Sequence, residues 1–390
     1  MITVDDALAA LFDLVPRLPA ETVPLAQAAG RVLVSDGVAQ SDQPPFAASA
    51  MDGYAVAAGP VTAGMTFRVI GESAAGRRFD GTVGPGEAVR IFTGAPIPEG
   101  AGRVILQEDC SRLGTTITIT GPVQDKPNIR PAGADFRTGA TVSAPRRLGP
   151  RDIALLAAMN VVEVQVARRP TVALIATGDE LVMPGETPGP DQIIASNNFG
   201  LHALVAAEGA VPRLLPIARD TPASLHMALE LAEGADLVIT IGGASVGDHD
   251  IVAEVAAGMG LERAFYKVAM RPGKPLMAGR LGEAVMIGLP GNPVSSMVCG
   301  HVFLRPVLAA MQGLPARGLT PLHAPLLEDL PPNGPRQHYM RARLDGGGIR
   351  AFPTQDSALL SVLAEADALL IRPIDDGPRK AGELVAYLPI

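Results

Sequence analysis

The sequence predicts an α/β domain combined with separate β domains, and three regions of the chain carry this prediction. Residues 171–312 alternate strand and helix patterns at the spacing of βαβ units. Residues 60–145 are rich in Gly, Pro, Thr and Val and contain short alternating apolar runs, which are typical of a small β domain. Helical patterns at Val4–Val15 and Arg151–Met159 bracket that region. We therefore expect a β domain inserted between two halves of a helical domain.

The α/β region opens with Thr171–Thr177, a short apolar run that ends at Gly178 and is typical of a buried parallel strand. A helix should begin at Ser196 or Asn197, which are good capping residues, and end at Gly209. The remaining predicted elements, in chain order, are the strand Val211–Ile217, a helix from Thr221 and Pro222 to Gly234, the strand Asp236–Ile241, the helix Ile251–Ala257, the strands Arg263–Ala269 and Ala284–Leu289, and the helix Pro293–Met311. This succession predicts a doubly wound, mostly parallel sheet.

Length and composition divide the sequence into four expected domains. A chain of 390 residues exceeds what one hydrophobic core usually supports. A proline-rich segment beyond Leu314 marks the start of a last β module, with a helical pattern only at Ala358–Glu365. The expected domains are a split helical and dimerisation domain of residues 1–45 and 133–168, an inserted β domain of residues 46–132, an α/β domain of residues 169–315 and a C-terminal β domain of residues 316–390.

Charge and residue usage exclude several classes of protein. A net charge of -8 argues against broad nucleic-acid binding, which needs a basic surface. No segment reaches the roughly 18 uninterrupted apolar residues of a membrane span, and the N-terminal segment is acidic where a signal peptide is basic. Cys110 and Cys299 lie far apart, and the six histidines form no ligand cluster, so neither a disulfide framework nor structural zinc is expected. We expect a cytoplasmic protein without nucleic-acid or membrane partners.

Chemically active residues follow the predicted strands, where the ends of a parallel sheet deliver loops and helix N-termini to one edge. The segments concerned are Thr177–Glu180, Arg219–Thr221, Gly242–Asp250, Met270–Lys274 and Pro290–Pro293. Taken singly, each has an ordinary structural explanation: Asp220 as a helix cap, or Gly242 and Gly243 as turn residues. Taken together, acids, glycines and a basic pair at consecutive strand ends indicate a binding site for a phosphate-bearing anion.

The residue types at this edge suit phosphoryl or nucleotidyl chemistry. Carboxylates can hold Mg²⁺, and the backbone N–H groups of a glycine loop can bind oxyanions. Arg271 and Lys274 supply positive charge and hydrogen-bond donors. The sequence contains neither the P-loop pattern GxxxxGK[ST] nor the dinucleotide pattern GxGxxG, so both of those classes become minor alternatives.

A serine hydrolase is the main alternative from the residues alone. Gly243–Gly247 matches GxSxG between a predicted strand and a predicted helix, which would make Ser245 the nucleophile. The base would be a downstream histidine such as His301, His323 or His338. No HGGG-type oxyanion segment is present. Asp248 and Asp250, directly after the loop, suit a metal better than a hydrolase. The five-residue pattern is therefore weak support for this alternative.

Read in chain order, a set of motifs resembles the molybdopterin molybdenumtransferases, which are bacterial relatives of the gephyrin E domain. The motifs are Ser49–Val56 (SAMDGYAV), Thr93–Pro98 (TGAPIP), Gln107–Glu108, Gly133–Phe136 (GADF), Thr177–Leu181 (TGDEL), Ser245–Gly247 with Asp250, Arg271–Pro275 (RPGKP) and Leu289–Pro293 (LPGNP). They span nearly the whole chain, and their joint occurrence is highly specific.

The resemblance implies an elongated homodimer of four-domain subunits. It implies an enzyme that hydrolyses adenylylated molybdopterin, releases AMP and inserts molybdate into the dithiolene in the presence of Mg²⁺. It also implies transient contacts with the molybdopterin adenylyltransferase and with molybdoenzyme maturation factors. Tungstate in place of molybdate stays open, as does a non-catalytic scaffold of the gephyrin kind, although the sequence has no long linker for clustering partners.

The resemblance also implies roles for individual residues. The expected Mg²⁺ ligands are Asp220, Asp250 and Glu180, and the expected molybdate-binding residues are Ser245, Arg271, Lys274, Arg341 and Ser357. The remaining expected residues of the molybdopterin site are Gly178, Asp179, Gly242, Gly243, Pro290 and Asn292. Asp52, Thr93 and Asp135 are expected to approach from the β domain of the other subunit.

Two positions depart from the family pattern. Many relatives have Asp-Asn where this chain has Ala47 and Ala48, so a polar role there is absent. Arg271 stands where relatives often have lysine, and a planar guanidinium presents its donors differently from an ammonium group. We expect anion binding to survive this exchange, with a changed affinity.

Overall fold

The structure is a computed structural model that describes residues 1–123, 125–243 and 251–390. Ser245, Asp248 and Asp250, which the sequence places in or beside the site, lie outside the described residues. Their predicted roles therefore stay predictions.

The described part of the α/β domain is built on a six-stranded mixed sheet. Its strands are β1 (Thr171–Ala176), β2 (Val211–Leu214), β3 (Leu237–Ile241), β4 (Glu262–Tyr266), β5 (Met277–Leu281) and β6 (Ala284–Leu289). They lie in the order β2-β1-β3-β6-β5-β4. The pairs β1–β2, β1–β3 and β3–β6 are parallel, as the sequence predicts for a mostly parallel sheet.

Both faces of this sheet are buried against helices, which confirms the doubly wound arrangement. Successive residues of β1 point to opposite sides, so Leu174 and Ile175 belong to two different hydrophobic cores. The helices Asn197–Ala207 and Pro293–Met311 cover one face, and Pro222–Leu231 and Ile251–Gly258 cover the other. The N-terminal helix Val4–Leu14 also packs on the first face, in the core of the α/β domain.

One strand was missing from the sequence prediction. Residues Met277–Leu281 form β5, which runs antiparallel to both of its neighbours, β4 and β6. This segment combines Gly279 and Arg280 with few β-branched residues, so it carries no strand pattern. Since β5 is antiparallel to both β4 and β6, the strands β4 and β6 run in the same direction. Its carboxyl end therefore lies at the same sheet edge as those of β1, β3 and β6.

The helix over Pro293–Met311 is continuous but not uniform. An α-helical first part, Pro293–Cys299, and a second part, Arg305–Met311, are joined by a π-helical segment, Gly300–Leu304. By length and composition alone this helix could cross a membrane, but 72% of the apolar window is buried inside the protein. It is the core helix of the α/β domain.

The N-terminal part of the chain contains more strand than its helical pattern predicts. The helix Pro150–Ala158 packs beside a four-stranded sheet in the order Ala20–Pro24, Glu163–Ala167, Val32–Leu33 and Arg146–Arg147. In addition, Gly37–Val38 pairs with Thr141–Val142.

The inserted β region forms a six-stranded sheet in the order Ala101–Leu106, Gly53–Ala57, Glu87–Ile91, Thr66–Ser73, Thr116–Ile119 and Cys110–Leu113. In addition, Ala48–Ser49 pairs with Ile129–Arg130. The insertion is confirmed, and the exact domain boundaries stay a prediction.

The C-terminal region is a β domain with one short helix, Leu360–Ala364. Its strands are Leu322–Pro325, Gln337–Asp345, Gly348–Ala351, Ala368–Arg372 and Leu384–Pro389. A two-residue strand of the α/β domain, Met270–Arg271, pairs in parallel with Gln337–His338 at the edge of this sheet. The segment that the sequence marks as a basic loop thus belongs to two domains at once.

Charged contacts attach the N-terminal region to the α/β domain. Arg168 donates to both carboxylate oxygens of Asp236, at 3.0 and 2.6 Å, and the N–H of Thr171 donates to the same carboxylate at 2.7 Å. Glu208 accepts from Arg305 Nε at 2.7 Å, and its carbonyl accepts from Arg147 Nη1 at 3.1 Å. These contacts fix the start of β1 and the end of the following helix.

Candidate active site

A cleft lies where the chain order in the sheet reverses, between the carboxyl ends of β1 and β3. The helix after β1 covers one face and the helix after β3 covers the other, so the loops diverge and leave a crevice. The cleft has a volume of about 630 Å³. Its lining includes seven of the residues predicted from sequence: Gly178, Glu180, Asp220, Gly242, Gly243, Pro290 and Asn292.

Glycines let the backbone form the floor of this cleft. Gly178 has a φ of +150°, and a Cβ there would overlap the carboxylate of Glu180. Gly242 has a φ of +97°, and its Cβ would lie 2.6 Å from the carbonyl oxygen of Thr177. Any side chain at these two positions would therefore strain the backbone and displace cleft atoms.

Two carboxylates of the cleft are available for a ligand. Within the described part of the chain, neither Glu180 nor Asp220 has a hydrogen bond or an ion pair to its carboxylate. The helix-cap explanation for Asp220 is wrong, because Thr221 caps the helix by accepting from the N–H of Ser224 at 3.3 Å. Asp179 instead accepts from the N–H of Asp220 at 3.2 Å and so shapes the loop.

A helix N-terminus, which the sequence predicts only as the start of a helix, forms another wall of the cleft. Ser196, Asn197 and Asn198 line the cleft at the start of the helix Asn197–Ala207. Asn197 Nδ2 donates to the carbonyl of Gly291 at 2.7 Å. Asn198 is 1% exposed, and its carboxamide has no hydrogen-bond partner among the described residues. The positive end of the helix dipole thus lies at the cleft wall, where an anion is stabilised.

The C-terminal domain closes one side of the cleft. Asn292 Nδ2 donates to Ser357 Oγ at 3.1 Å, and the N–H of Val294 donates to the Ser357 carbonyl at 3.0 Å. Ala358 is part of the cleft lining. The structure therefore brings together Asn292 and Ser357, which lie 65 positions apart.

Positive charge is concentrated beside this interdomain contact, in an arginine cluster that consists of Arg271, Arg336, Arg341 and Arg372. Arg341 is 0% exposed; its Nη2 donates to the carbonyl of Asp356 at 3.0 Å, but its Nε and Nη1 have no partner among the described residues. Burial and the nearby Arg271 lower the pKa of Arg341. Buried donors without acceptors are costly, and an oxyanion would supply the missing acceptors.

His338 belongs to the same cluster, although the sequence suggested it only as a hydrolase base. It lies opposite Arg271 in the interdomain strand pair, and its Nε2 is buried without a partner among the described residues. Burial lowers the pKa of His338 to about 4, and Arg271, Arg341, Arg372 and Arg336 contribute in the same direction. The imidazole is therefore neutral at pH 7.

The basic loop rests on the core helix. Gly273 has a φ of +111°, and a Cβ there would lie 2.6 Å from the Sγ of Cys299. Pro275 lines the cleft, whereas Arg271 and Lys274 are not part of its lining. The loop thus lies next to the cleft, on the side of the arginine cluster.

The residues predicted in the β domain form a separate cluster. Asp52 Oδ1 accepts from the N–H and the Oγ1 of Thr93, at 2.7 and 2.8 Å. These hydrogen bonds, with a smaller contribution from Arg90, lower the pKa of Asp52. None of the three predicted residues, Asp52, Thr93 and Asp135, lines the cleft of its own chain.

Comparison with known proteins agrees with this arrangement. Three sequence profiles match consecutive parts of the chain: the MoeA N-terminal region (domains I and II) over residues 2–160, a probable molybdopterin binding domain over 173–310, and the MoeA C-terminal region (domain IV) over 323–390. A molybdopterin molybdenumtransferase from Nostoc is 35% identical over 417 residues, covering 100% of this chain and 94% of that protein. The chain belongs to the MoeA family.

Further relatives support membership along the whole length. Molybdopterin molybdenumtransferase 2 of Mycobacterium tuberculosis is 38% identical, with 91% of each chain covered. The crystal structure of a MoeA protein from Pyrococcus horikoshii superposes with a TM-score of 0.86 at 29% identity, covering 100% of both chains. The MoeA fold predicted from the sequence motifs is confirmed, and the serine-hydrolase alternative finds no support.

Replacing Gly178 by alanine should disturb the position of Glu180. The new Cβ would meet the carboxylate and force a positive φ on alanine, so Mn²⁺, as a spectroscopic substitute for Mg²⁺, should bind about tenfold more weakly. Titration followed by electron paramagnetic resonance measures this affinity. Gly185→Ala is the matched control, because Gly185 also has a positive φ but has open space around it. Equal weakening in both variants would contradict the assignment of Glu180.

The unfolding free energy should fall as the pH decreases from about 6.5 to about 4, partly through His338. Its pKa is 6.5 in the unfolded chain and about 4 in the fold, so the unfolded state binds the proton first. The full contribution is roughly 3 kcal/mol at 1.36 kcal/mol per pKa unit. Denaturant titrations at pH 7 and pH 4.5 should show a smaller loss for His338→Gln than for the unchanged protein. An identical loss would mean that His338 titrates normally.

Proposed function

We propose that this MoeA-family protein is an enzyme that inserts molybdate into adenylylated molybdopterin, with Mg²⁺-dependent release of AMP, and so completes molybdenum cofactor biosynthesis. One observation carries the proposal. A cleft with two carboxylates that have no partner among the described residues, and with a helix N-terminus, adjoins an arginine cluster in which the buried Arg341 has two nitrogens without acceptors in the described structure. The first side suits a metal and phosphates, and the second suits a separate oxyanion.

The carboxylates fit the proposed Mg²⁺ ion. Glu180 and Asp220 offer hard oxygen donors and have no competing partner among the described residues. Mg²⁺ typically takes one or two protein carboxylates and completes its shell with water and phosphate oxygens. When bound, the ion would neutralise charge on the phosphates during hydrolysis. Asp250 is proposed as a further ligand from its place in the sequence.

The other residues of the cleft hold and orient the substrate. The N-terminus of the helix Asn197–Ala207 and the backbone of Gly242 and Gly243 stabilise the phosphates. Arg271, Lys274 and Arg341 attract molybdate, with Ser357 as a neutral donor at the domain boundary. Since the unpaired donors of Arg341 are already buried before the anion arrives, little reorganisation opposes binding.

A second subunit completes this proposal. Asp52, Thr93 and Asp135 do not line the cleft of their own chain, which supports a role across a homodimer. We infer a cytoplasmic protein that receives its substrate from a molybdopterin adenylyltransferase and passes its product to molybdoenzyme maturation factors. Molybdate is the proposed anion, and tungstate has the same tetrahedral chemistry.

The direct test is AMP release from adenylylated molybdopterin, with and without molybdate and Mg²⁺. AMP release should require Mg²⁺ and increase with molybdate, and the product should activate a cofactor-free molybdoenzyme. AMP release at the same rate with and without Mg²⁺ and molybdate, or a product that fails to activate the cofactor-free molybdoenzyme, would overturn the proposed function.

Lys274→Ala should raise the molybdate concentration for half-maximal insertion by about tenfold, which corresponds to roughly 1.4 kcal/mol of lost charge-assisted contact. The effect should be sensitive to salt, because the loop attracts an anion within a protein of net charge -8. Lys126→Ala removes the same charge from the β domain and serves as the control. Arg271→Lys should be the mildest change. Loss of AMP binding with unchanged molybdate dependence would assign the loop to the phosphates instead.

A further inference from the structure

A second compartment continues the cleft away from the arginine cluster. It has a volume of about 510 Å³ and lies between the helices of the α/β domain and the C-terminal domain. Its lining residues are Ser196, Asn197, Gly200, Met297, His301, Leu360, Leu363, Ala364, Ala366 and Ile390. None of the described residues predicted for the molybdopterin site lies in it, and the proposed function assigns it no role so far.

The compartment and the cleft share a wall. Ser196 and Asn197 line both, so the helix N-terminus lies at the junction. On the opposite side, the same C-terminal segment contributes Ala358 to the cleft and Leu360 to the compartment. Each volume falls within the range of roughly 300–1,000 Å³ that is typical of small-molecule sites. One ligand could therefore extend from the polar part into the apolar part.

The compartment is lined mainly by apolar groups. Met297, Leu360, Leu363 and Ile390 supply hydrocarbon and thioether surface, and a methionine adapts well to an aromatic ring. The helices Asn197–Ala207 and Pro293–Cys299 approach closely at Gly200, where a Cβ would lie 2.8 Å from the Sδ of Met297. Among the described residues, the lining includes no Asp, Glu, Lys or Arg. A charged group entering it would lose hydration without gaining a counter-ion.

The imidazole of His301 provides a polar group in the wall of the compartment. His301 lies in the π-helical segment Gly300–Leu304, a type of distortion that is frequent at functional sites. Burial, followed by the nearby Arg305, lowers the pKa of His301 to about 4. The side chain is therefore neutral at pH 7 and can form a hydrogen bond to the edge of a ring without repelling it.

We propose that this compartment binds the planar, uncharged ring of the ligand whose phosphate occupies the cleft. The inference rests on the proposed function, which supplies such a ligand. Adenylylated molybdopterin carries two ring systems of this chemistry, a purine and a pterin. Both are flat heteroaromatic rings with hydrogen-bonding edges, and the apolar walls, neutral His301 and junction residues Ser196 and Asn197 fit either one.

Calorimetry with fragments of the ligand tests the proposal on the full-length protein. Ribose 5-phosphate carries the phosphate without a ring, and AMP carries both. If the compartment takes the purine, AMP should bind at least about tenfold more tightly than ribose 5-phosphate, because only AMP can fill the compartment. If the compartment takes the pterin, AMP and ribose 5-phosphate should bind alike, and neopterin should bind to the protein.

Two substitutions on one helix locate the effect. Ala364→Trp should fill the compartment and abolish the added affinity of AMP or the binding of neopterin, whichever the unchanged protein shows, while leaving the affinity for ribose 5-phosphate unchanged. Ser361→Trp is the matched control, because Ser361 is also exposed on the helix Leu360–Ala364 but does not line the compartment. His301→Leu should lower ring affinity while its apolar bulk keeps the walls packed.

The possible results separate the two proposals. If ribose 5-phosphate binds, AMP binds no better and neopterin does not bind, or if Ala364→Trp and Ser361→Trp have the same effect on the ring compound, the ring compartment is wrong and the proposed function stands. If none of the phosphate-bearing compounds binds, the proposed function fails, and the compartment assignment fails with it.

Discussion

A two-residue strand pairing holds the proposed site together. Met270–Arg271 leave the α/β sheet and pair with Gln337–His338 of the C-terminal domain. This pairing places Arg271 near Arg341 and His338, and it allows the C-terminal segment around Ser357 to reach Asn292 at the cleft. The antiparallel strand β5 makes the pairing possible, since it returns the chain from the sheet edge to the interior of the sheet. Fold and site therefore depend on the same short segment.

The electrostatic arrangement is local and works against the charge of the whole molecule. A net charge of -8 repels anions at long range, but this field is screened within about 10 Å at ordinary salt. Beside the cleft, four arginines and a neutral histidine lie close together, and Arg341 keeps two nitrogens without acceptors in the described structure. Because these two nitrogens lack hydrogen-bond acceptors, they favour binding of a small oxyanion over a neutral molecule. Carboxylates that would compete for these donors, Glu180 and Asp220, lie in the neighbouring cleft instead.

Sequence patterns could predict the part of the site that follows parallel strands. Gly178, Glu180, Asp220 and Gly242 meet in the cleft because strand direction alone determines which loops converge. Other features depend on tertiary contacts that leave no local pattern. His338 is an unremarkable strand residue until Arg271 pairs with it, and Asn198 looks like any polar residue in a first helical turn. The strand β5 was missed because burial between two neighbours, rather than β-propensity, determines its conformation.

The π-helical segment in the core helix has a consequence for how one helix serves two neighbours. Each additional residue in a turn rotates the face that follows by about 100°. The first half of the helix contacts the C-terminal domain and the ring compartment through Met297, whereas Leu308 and Met311 of the second half pack in the core shared with the N-terminal helix. The π-helical turn at Gly300–Leu304 rotates the side chains of the second half relative to those of the first. One continuous helix therefore presents a compartment-facing side chain, Met297, while residues of both halves, from Val294 to Met311, pack in the main core.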